Sequence, residues 1–344
     1  MSDYIIPAVI SFLATLGLVV FARWLFPKIG MMDRPHKYGL KRSPIPYYGG
    51  ALIFVVFLVM VLIFVPLDKA VIGLLIGAAA IVFIGFLDDM FSVSPFIRLL
   101  FQLFAGVALV LSGVFIFSIN IPFIGVLDMD GLIYYGIPVI SSVFTIVWIM
   151  AIVNTMNFID GVSGLASGVG FIAGLTIFVL SIHPGIHENP QSQVGVALIA
   201  LILSMSCLAF LLFDFPKPKI LMGDTGSTFI GFIIATLAIF SGGKVATAFL
   251  VLGIPILDMI WVVLRRTLSG QKFWKGDLKH LHHRFLDIGL SERHVVLLYL
   301  AVTAVFGISA VSFVSSEQKF FILIALVVLM FLLASALVFL PRKR

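Results

Sequence analysis

The sequence contains very little cysteine and very little charge. Its one cysteine, Cys207, lies in an apolar run, which excludes an internal disulfide and a zinc site built on cysteines. Only 11% of the residues are charged, whereas 61% are hydrophobic and the mean hydropathy is +1.21. A chain of this composition would be insoluble as a globule, so the sequence predicts a polytopic membrane protein.

The apolar residues fall into stretches of roughly 17–22 residues, which is long enough to cross a bilayer as helices. We predict about eleven such helices in one all-α transmembrane domain that comprises residues 1–344. The first stretch is too long for the core of a signal peptide and lacks a basic leader, so we expect it to be retained. The second and third could form a tight hairpin around Asp68. The predicted spans are 4–26, 47–66, 70–87, 97–117, 137–156, 164–182, 194–213, 226–241, 245–264, 294–315 and 319–340.

The basic residues are distributed unevenly between the two sides of the membrane. With the N-terminus outside, 18 of the 22 Lys and Arg residues fall on the inner side and three on the outer side. Because basic loops stay in the cytoplasm, this bias predicts an outside N-terminus and a cytoplasmic C-terminus. The longest basic loop, 265–293, belongs to the same domain. We expect a multi-pass protein of the cell membrane whose polar chemistry is cytoplasmic.

Four polar motifs lie on this predicted cytoplasmic side, each beside a long apolar stretch. Carboxylates at a membrane edge are unfavourable when unpaired, so three acidic motifs together indicate a shared divalent cation and a phosphorylated ligand. The fourth motif carries imidazole and guanidinium groups. The motifs are Asp88-Asp89, Asn154-Thr-Met-Asn157-Phe-Ile-Asp160-Gly161, Met222-Gly223-Asp224-Thr225-Gly226-Ser227 and His280-Leu-His282-His283-Arg284.

The first two motifs each allow a functional and a structural interpretation. Asp88 and Asp89 end an apolar stretch, and a helix C-terminus disfavours negative charge, so a metal or a cationic partner should compensate them. The alternative is a solvated helix end. In the second motif Asn154, Asn157 and Asp160 share one helix face because they are three residues apart. They could bind a ligand or form a polar seam between packed helices.

The third and fourth motifs also allow more than one interpretation. Asp224 stands among two glycines and two hydroxyl residues at the start of a predicted helix, which is typical of an anion cradle with a metal ligand beside it. An N-cap followed by a turn would have a similar sequence. The histidine motif suits a diphosphate. A zinc site would lack cysteine and a clear fourth ligand, and a loop that binds anionic lipid is the remaining alternative.

In their order along the chain, the four motifs resemble those of the polyprenyl-phosphate N-acetylhexosamine-1-phosphate transferase family. The resemblance covers nearly the whole chain and includes an early loop with Asp33-Arg-Pro35 and Pro44-Ile-Pro-Tyr-Tyr-Gly49-Gly50. It implies transfer of a sugar 1-phosphate from a UDP-N-acetylhexosamine to a membrane polyprenyl phosphate, with release of UMP. It also implies Mg²⁺ as cofactor, which Mn²⁺ could replace. Membrane lipid is an expected partner, a homodimer is compatible with the sequence, and nucleic acid is not expected.

The resemblance implies a role for each motif. Asp224, together with Asn157, would bind the metal ion. Asp88 would deprotonate or position the lipid phosphate, and Asp89 would support the metal or that geometry. A covalent phosphoryl intermediate on a carboxylate is the alternative. The substrates would be bound by Asn154, Asp160, Lys219, Gly223, His280, His282, His283 and Arg284.

The form of the histidine motif bears on the sugar. His-x-His-His, preceded by Asp277, resembles the UDP-N-acetylglucosamine branch of the family more than the muramoyl-pentapeptide branch. We therefore expect transfer of N-acetylglucosamine 1-phosphate, the first membrane step in the assembly of a cell-envelope glycan. The alternative is a muramoyl-pentapeptide or other N-acetylhexosamine 1-phosphate transferase of the same family.

Three positions depart from the family pattern. Ser163 stands where a second carboxylate usually follows Asp160-Gly161, and Asp214 stands where an asparagine is usual. In the first loop an Arg-Lys-x-His run is usual, and here the corresponding residues include Tyr38, Gly39 and Lys41. These departures concern the nucleotide contacts and the identity of the sugar, and they leave the metal and transfer residues intact.

A transporter or flippase of lipid-linked substrates is the rival class. It predicts polar residues near the centres of the spans and on both faces of the membrane. Here the span centres are almost uniformly apolar, and the polar motifs lie on one side. A scaffold that binds anionic lipid would not require Asp88, Asp160 or Asp224. The sequence therefore favours a phosphoglycosyl transferase.

Overall fold

The computed structural model describes residues 2–35, 42–121, 125–184, 190–241, 252–268, 281–312 and 316–339. A helix of 16 or more residues lies at every position where the sequence predicts a span. Seven of the described helices are long and apolar enough to cross a membrane by length and composition. The protein is thus a mostly helical, polytopic membrane protein, as predicted, while the number of spans and the single-domain organisation stay predictions. The helices are α1 (Ser2–Ile29), α2 (Gly49–Phe64), α3 (Lys69–Phe91), α4 (Pro95–Leu111), α5 (Val139–Ile159), α6 (Leu165–Ile182), α7 (Val194–Asp214), α8 (Gly223–Phe240), α9 (Gly253–Leu268), α10 (Leu281–Asp287), α11 (Glu292–Ser312) and α12 (Ser316–Phe339).

The core of the bundle lies around α8. This helix packs against α2, α3, α5, α6 and α7, and its side chains are buried along almost the whole length. Phe229 and Phe232 are fully buried within it. Outer helices instead present large apolar side chains, such as Phe21 and Trp24 of α1, which are more than half exposed. An apolar exterior around a packed interior is what a bilayer requires of a helical protein.

Short connections with standard helix caps bring consecutive helices side by side. Between α2 and α3 the chain turns at Asp68, whose side chain accepts the N–H of Val71 at 2.8 Å. This turn confirms the predicted hairpin. Between α3 and α4 the chain turns at Ser92, which has a φ of 56°, and α4 then begins at Pro95 after the N-cap Ser94. This second turn holds the end of α3 next to the start of α4.

Two small hairpins between α4 and α5 were not predicted. Strands β1 (Ser118–Ile121) and β2 (Gly125–Asp128) pair antiparallel, as do β3 (Ile133–Tyr134) and β4 (Ile137–Pro138). The fourth span was predicted to run to residue 117, but α4 ends at Leu111, because Ser112 closes the helix and Gly113 follows with a φ of 85°. The strands are too short and too exposed to give an alternating pattern in the sequence.

Candidate active site

The three acidic motifs meet at one end of the helix bundle. Helices α3 and α5 end there, and α8, which runs in the opposite direction, begins there. Asp88, Asp89, Asp160 and Asp224 line one cavity of about 550 Å³. The sequence placed these carboxylates on a common side, and the structure confirms that they come together.

Glycines allow α2 and α3 to contact the start of α8 directly. A Cβ on Gly50 would lie 2.1 Å from the backbone nitrogen of Gly226, and a Cβ on Gly85 would lie 2.7 Å from the Cα of Thr225. Neither position has room for a side chain, so the contact is backbone to backbone. The N–H of Gly50 also donates to the carbonyl of Met222 at 2.8 Å. The end of the early loop therefore packs directly on the Met-Gly-Asp-Thr-Gly-Ser motif.

Asp89 caps the N-terminus of α8. Its Oδ1 accepts the N–H of Asp224 at 2.8 Å and the hydroxyl of Tyr47 at 3.0 Å. Its Oδ2 accepts the N–H of Thr225 at 3.1 Å and the hydroxyl of the same residue at 2.5 Å. Free amide donors and a partial positive charge make a helix N-terminus a favourable site for a carboxylate. These contacts support the role of Asp89 in holding the geometry of the site.

Gly223 permits this cap. It has a φ of 77°, in the left-handed region, and a Cβ there would lie 2.4 Å from Oδ2 of Asp89. Any side chain would therefore strain the backbone and displace the carboxylate. Gly223 was predicted to contact substrate. It lines the cavity and lets Asp89 reach α8, while its contact with substrate stays a prediction.

Arg98, on the first turns of α4, bridges two of the carboxylates. Its Nη1 lies 2.8 Å from Oδ2 of Asp88 and 2.8 Å from Oδ2 of Asp224. Asp88 is also fixed by the turn after α3, because its Oδ1 accepts the N–H of Val93 at 2.6 Å. Two carboxylates thus converge on one positive charge. In the sequence, Arg98 contributed only to the predicted orientation of the protein in the membrane. Its position one turn into the next helix also indicated a partner for Asp88.

The second motif lies along α5 as predicted, but its side chains serve different purposes. Asn154 donates to Oε1 of Gln102 on α4 at 2.7 Å, which is the polar seam between helices that was the alternative interpretation. Asn157 donates to the hydroxyl of Ser227 at 3.2 Å and so faces the start of α8. Asp160, just after α5, lines the cavity.

Asp160 lies in a strongly negative environment. Burial raises the pKa of Asp160 well above its usual value, and the charges of Asp214, Asp224 and Asp89 raise it further. A hydrogen bond with Ser227 acts in the opposite direction. Carboxylates brought together in this way need a positive charge beside them, which the protein or a bound cation has to supply.

Tyr47 of the early loop is a site residue to which the sequence assigned no role. Burial raises the pKa of Tyr47, and the nearby charges of Asp89 and Asp224 raise it further. The phenol therefore stays protonated and donates its hydrogen bond to Asp89. The sequence gives no signal for this partner, because Tyr47 and Asp89 are 42 residues apart along the chain.

The histidine motif lies beside the turn that ends the second motif. His282 and His283 belong to the short helix α10, and a Cβ on Gly161 would lie 2.8 Å from Nε2 of His282 and 3.6 Å from Nε2 of His283. Arg284 is partly exposed and 3.9 Å from Asp287. The structure therefore brings the second and fourth motifs together, while His280 lies outside the described residues.

Basic residues of the first loop also line the cavity. Arg34 and Arg42 are among its lining residues, and Arg42 is paired with the half-buried Asp33. Lys219 is exposed, and its N–H donates to the carbonyl of Phe213 at 2.8 Å. Lys219 is not one of the described residues that line the cavity. Its role in substrate binding stays a prediction, and Tyr38, Gly39 and Lys41 lie outside the described residues.

The oxygen atoms near Asp224 are of the kind that could hold a divalent metal ion. Asp224 and Asp88 offer carboxylates and Asn157 offers an amide oxygen, which are the hard ligands that Mg²⁺ prefers. Asp224 and Asn157 also line one narrow space between α3, α4 and α5. Among the described residues, no group of three or more His, Cys, Asp or Glu could hold a metal ion. Since Mg²⁺ commonly uses one or two carboxylates and completes its shell with water and substrate phosphates, the arrangement suits magnesium better than zinc.

Comparison with known proteins identifies the family. Residues 71–242 match the sequence model of a family described as Glycosyl transferase family 4. A protein of Bacillus subtilis (strain 168), named "Probable undecaprenyl-phosphate N-acetylglucosaminyl 1-phosphate transferase", is 30% identical over 96% of this chain and 91% of its own length. The decaprenyl-phosphate N-acetylglucosaminephosphotransferase of Mycobacterium tuberculosis (strain CDC 1551 / Oshkosh) is 31% identical over 93% and 85%. The undecaprenyl-phosphate alpha-N-acetylglucosaminyl 1-phosphate transferase of Yersinia pestis is 28% identical over 94% and 88%.

Fold, cavity and comparisons agree on the class, a membrane-embedded glycosyl transferase. The chain belongs to glycosyl transferase family 4 and, within it, to the polyprenyl-phosphate N-acetylhexosamine-1-phosphate transferases. The order of the motifs predicted this family, and the comparisons confirm it. The matched segment includes Asp88, Asp160 and Asp224.

Proposed function

We propose that this protein transfers N-acetylglucosamine 1-phosphate from UDP-N-acetylglucosamine to a membrane polyprenyl phosphate and releases UMP. The observation that carries the proposal is the convergence of Asp88, Asp160 and Asp224 at one cavity, where Arg98 is paired with two of these carboxylates. The names of the relatives support N-acetylglucosamine as the sugar and a polyprenyl phosphate as the acceptor. The same names favour this activity over a flippase.

In the proposed reaction an oxygen of the acceptor phosphate attacks the phosphorus that carries the sugar. A P–O bond forms between the two phosphates, and the P–O bond to UMP breaks. Because both reactants are anions, the cavity has to offset their repulsion and stabilise the charge of the transition state. A magnesium ion on Asp224 and Asn157 would supply part of this compensation when bound. Arg98 supplies a positive charge from the protein itself.

Asp88 is well placed to position the acceptor phosphate. Its carboxylate is held by Arg98 and by the N–H of Val93, so its orientation is fixed. Apolar side chains surround this end of α3, and Phe91 and Phe96 are 69% and 70% exposed. A polyprenyl chain could pack on these side chains while its phosphate reaches Asp88, which would position or deprotonate it.

A covalent phosphoryl intermediate on a carboxylate is the alternative mechanism. It would release UMP from UDP-N-acetylglucosamine before any acceptor is present. Direct attack by the lipid phosphate requires both substrates for UMP release. Quantifying UMP after rapid mixing, with and without polyprenyl phosphate, distinguishes the two mechanisms.

We further propose that the cavity faces the cytoplasm and that the protein lies in the cell membrane. The excess of basic residues on the side of the cavity supports this orientation. Arg34, Arg42 and Arg98 all lie at the cavity end of the bundle. Whether the protein forms a homodimer stays a prediction.

A direct assay tests the proposed function. Purified protein is incubated with radiolabelled UDP-N-acetylglucosamine, polyprenyl phosphate and Mg²⁺, and lipid-linked sugar and UMP are separated and counted. We expect both products to form in equal amounts. If neither forms with this donor or with a panel of other UDP-N-acetylhexosamines, the proposal is wrong.

The metal assignment predicts the result of one substitution. Asp224→Asn removes the charge of the proposed principal ligand and should lower turnover by roughly two orders of magnitude or more. Binding of Mn²⁺, followed by electron paramagnetic resonance, should weaken in parallel. Asp68→Asn is the matched control, because Asp68 caps α3 at the opposite end of the bundle and asparagine caps equally well. Wild-type activity of Asp224→Asn would remove the metal assignment.

A further inference from the structure

Asp214 is a buried carboxylate to which the proposed transfer gives no role. It ends α7, is 2% exposed, and lines the cavity together with Asp160 and Ser163. Its Oδ2 accepts the N–H of Gly164 at 2.9 Å and the hydroxyl of Ser167 at 2.8 Å. Both hydrogen bonds end on Oδ2, so Oδ1 takes part in neither.

These bonds place the carboxylate at the N-terminus of α6, where the partial positive charge of the helix stabilises it. Gly164 has a φ of 89°, and a Cβ there would lie 2.6 Å from the Cβ of Phe215, so the end of α7 interlocks with the turn before α6. Asp214 therefore fixes the turn 160–164. That turn contacts His282 on its other side.

Capping alone does not account for a charge at this position. An asparagine side chain could accept the same two hydrogen bonds, and it would avoid the unfavourable burial of an anion. Asp160 and Asp224 already make the cavity strongly negative, so a further carboxylate increases the repulsion. The N-terminus of α6 offsets part of this cost, and a partner in the cavity would offset the rest.

Ser163 and Asp214 are neighbours at the wall of the cavity. Asp214 accepts the N–H of Gly164, the residue next to Ser163, and both Ser163 and Asp214 line the cavity. Ser163 offers a hydroxyl and Asp214 a carboxylate, so Asp214 carries the charge of this pair.

We infer that Asp214, rather than its neighbour Ser163, supplies a charged acceptor for the donor at this wall of the cavity. The inference rests on the proposed function, because the donor is taken to be a nucleotide sugar. A carboxylate suits an N–H or O–H group of such a donor, and a charged acceptor binds it more strongly than an amide does. Asp214 also positions the turn 160–164 through Oδ2.

Four variants separate the charge from the cap. Asp214→Asn keeps the acceptor and removes the charge. Ser163→Asp adds a second carboxylate, and the double variant Ser163→Asp/Asp214→Asn has one carboxylate at the other position. Ser167→Ala is the matched control, because it removes one hydrogen bond to Oδ2 and keeps the charge. Binding of UDP-N-acetylglucosamine is measured by calorimetry without acceptor, alongside KM, kcat and the melting temperature.

We expect Asp214→Asn to weaken donor binding about tenfold, the effect of losing one hydrogen bond to a charged group. KM for the donor should rise by the same factor, while kcat and KM for the polyprenyl phosphate stay within about threefold. The double variant should recover donor affinity to within about threefold of wild type, so the two changes are not additive. Ser167→Ala should lower the melting temperature and leave donor affinity unchanged.

Three results would overturn the inference. Asp214→Asn could bind the donor as wild type does, which would make the charge irrelevant. Ser167→Ala could weaken binding as much as Asp214→Asn, which would reduce Asp214 to a cap. The double variant could remain as weak as Asp214→Asn, which would mean that the two positions do not substitute for each other. If wild-type protein neither binds nor turns over any UDP-sugar, the proposed function fails first and the inference fails with it.

Discussion

Arg98 contacts two carboxylates, one of which belongs to Asp224, the proposed metal ligand. The guanidinium Nη1 lies 2.8 Å from Oδ2 of Asp88 and 2.8 Å from Oδ2 of Asp224. Opposite charges at this distance attract strongly, and two cations in one place repel. We therefore expect metal binding to compete with Arg98 for Asp224, which would leave Arg98 available for an incoming phosphate.

Arg98→Gln tests this competition. Removal of the guanidinium should tighten Mn²⁺ binding in the absence of substrates by roughly tenfold, because both carboxylates then lack their positive partner. Turnover should fall, since the transition state loses a positive charge. The measurements are a Mn²⁺ titration by electron paramagnetic resonance and UMP release at saturating Mg²⁺.

Arg98→Lys is the control, because it keeps the charge and loses the planar guanidinium. Its Mn²⁺ affinity should stay close to wild type. Equal or weaker Mn²⁺ binding by Arg98→Gln would show that the arginine does not compete with the metal.

At the cavity end, helices α2 and α8 contact each other through backbone at Gly50 and Gly226, while further along Phe54 and Phe57 of α2 pack on Phe229 of α8. Gly50→Ala would place a Cβ 2.1 Å from the nitrogen of Gly226, so the two helices would have to separate. Overpacking of this kind destabilises a protein by about 1–3 kcal/mol, and here it also displaces the helix that carries Asp224. We expect a lower melting temperature and lower turnover, measured on purified protein in detergent.

Gly195→Ala in α7 is the matched comparison, since a Cβ there would lie 3.8 Å from Cγ1 of Val65, an ordinary contact. Alanine is the better helix former by roughly 1 kcal/mol, so this variant should be as stable as wild type or more stable. If Gly50→Ala were as stable as Gly195→Ala, the close approach of α2 to α8 would be wrong.

The positions of the helices were predictable, because the thickness of the bilayer sets the length of an apolar stretch. Their ends depend on local turns, which is why α4 stops at Leu111 rather than at residue 117.

The site was predictable in part. Spacing places Asn154 on the face of α5 that carries Asn157, but only the fold shows that its partner is Gln102. The position of Arg98 one turn into the next helix indicated Asp88 as a partner, but only the fold shows that Arg98 also contacts Asp224.

At the scale of the whole molecule, the orientation gives a further prediction. Asp130 lies in the connection between α4 and α5 and is exposed, whereas Lys219 is exposed at the end of the bundle that carries Asp224. A cysteine introduced at position 130 should react with a membrane-impermeant maleimide in intact cells. A cysteine at position 219 should react only after the membrane is opened, because the cavity end is expected to be cytoplasmic.

The natural chain is the control for this experiment, because Cys207 is fully buried in α7 and should stay unlabelled in both conditions. The extent of labelling is read by gel shift. If the cysteine at position 219 reacted in intact cells and the one at position 130 did not, the predicted orientation would be wrong. The proposed donor site would then lie outside the cell.

The backbone contact of Gly50 with Gly226, together with the cap that Asp89 gives α8, has a consequence for how the protein works in time. Helices joined this closely cannot slide past one another at the cavity end. Yet one substrate has to arrive from water and the other from the bilayer, and two different products have to leave. We therefore expect side chains such as Arg98, and helices other than α2, α3 and α8, to move during each turnover. Helices α2, α3 and α8 would keep their relative positions while substrates enter and products leave.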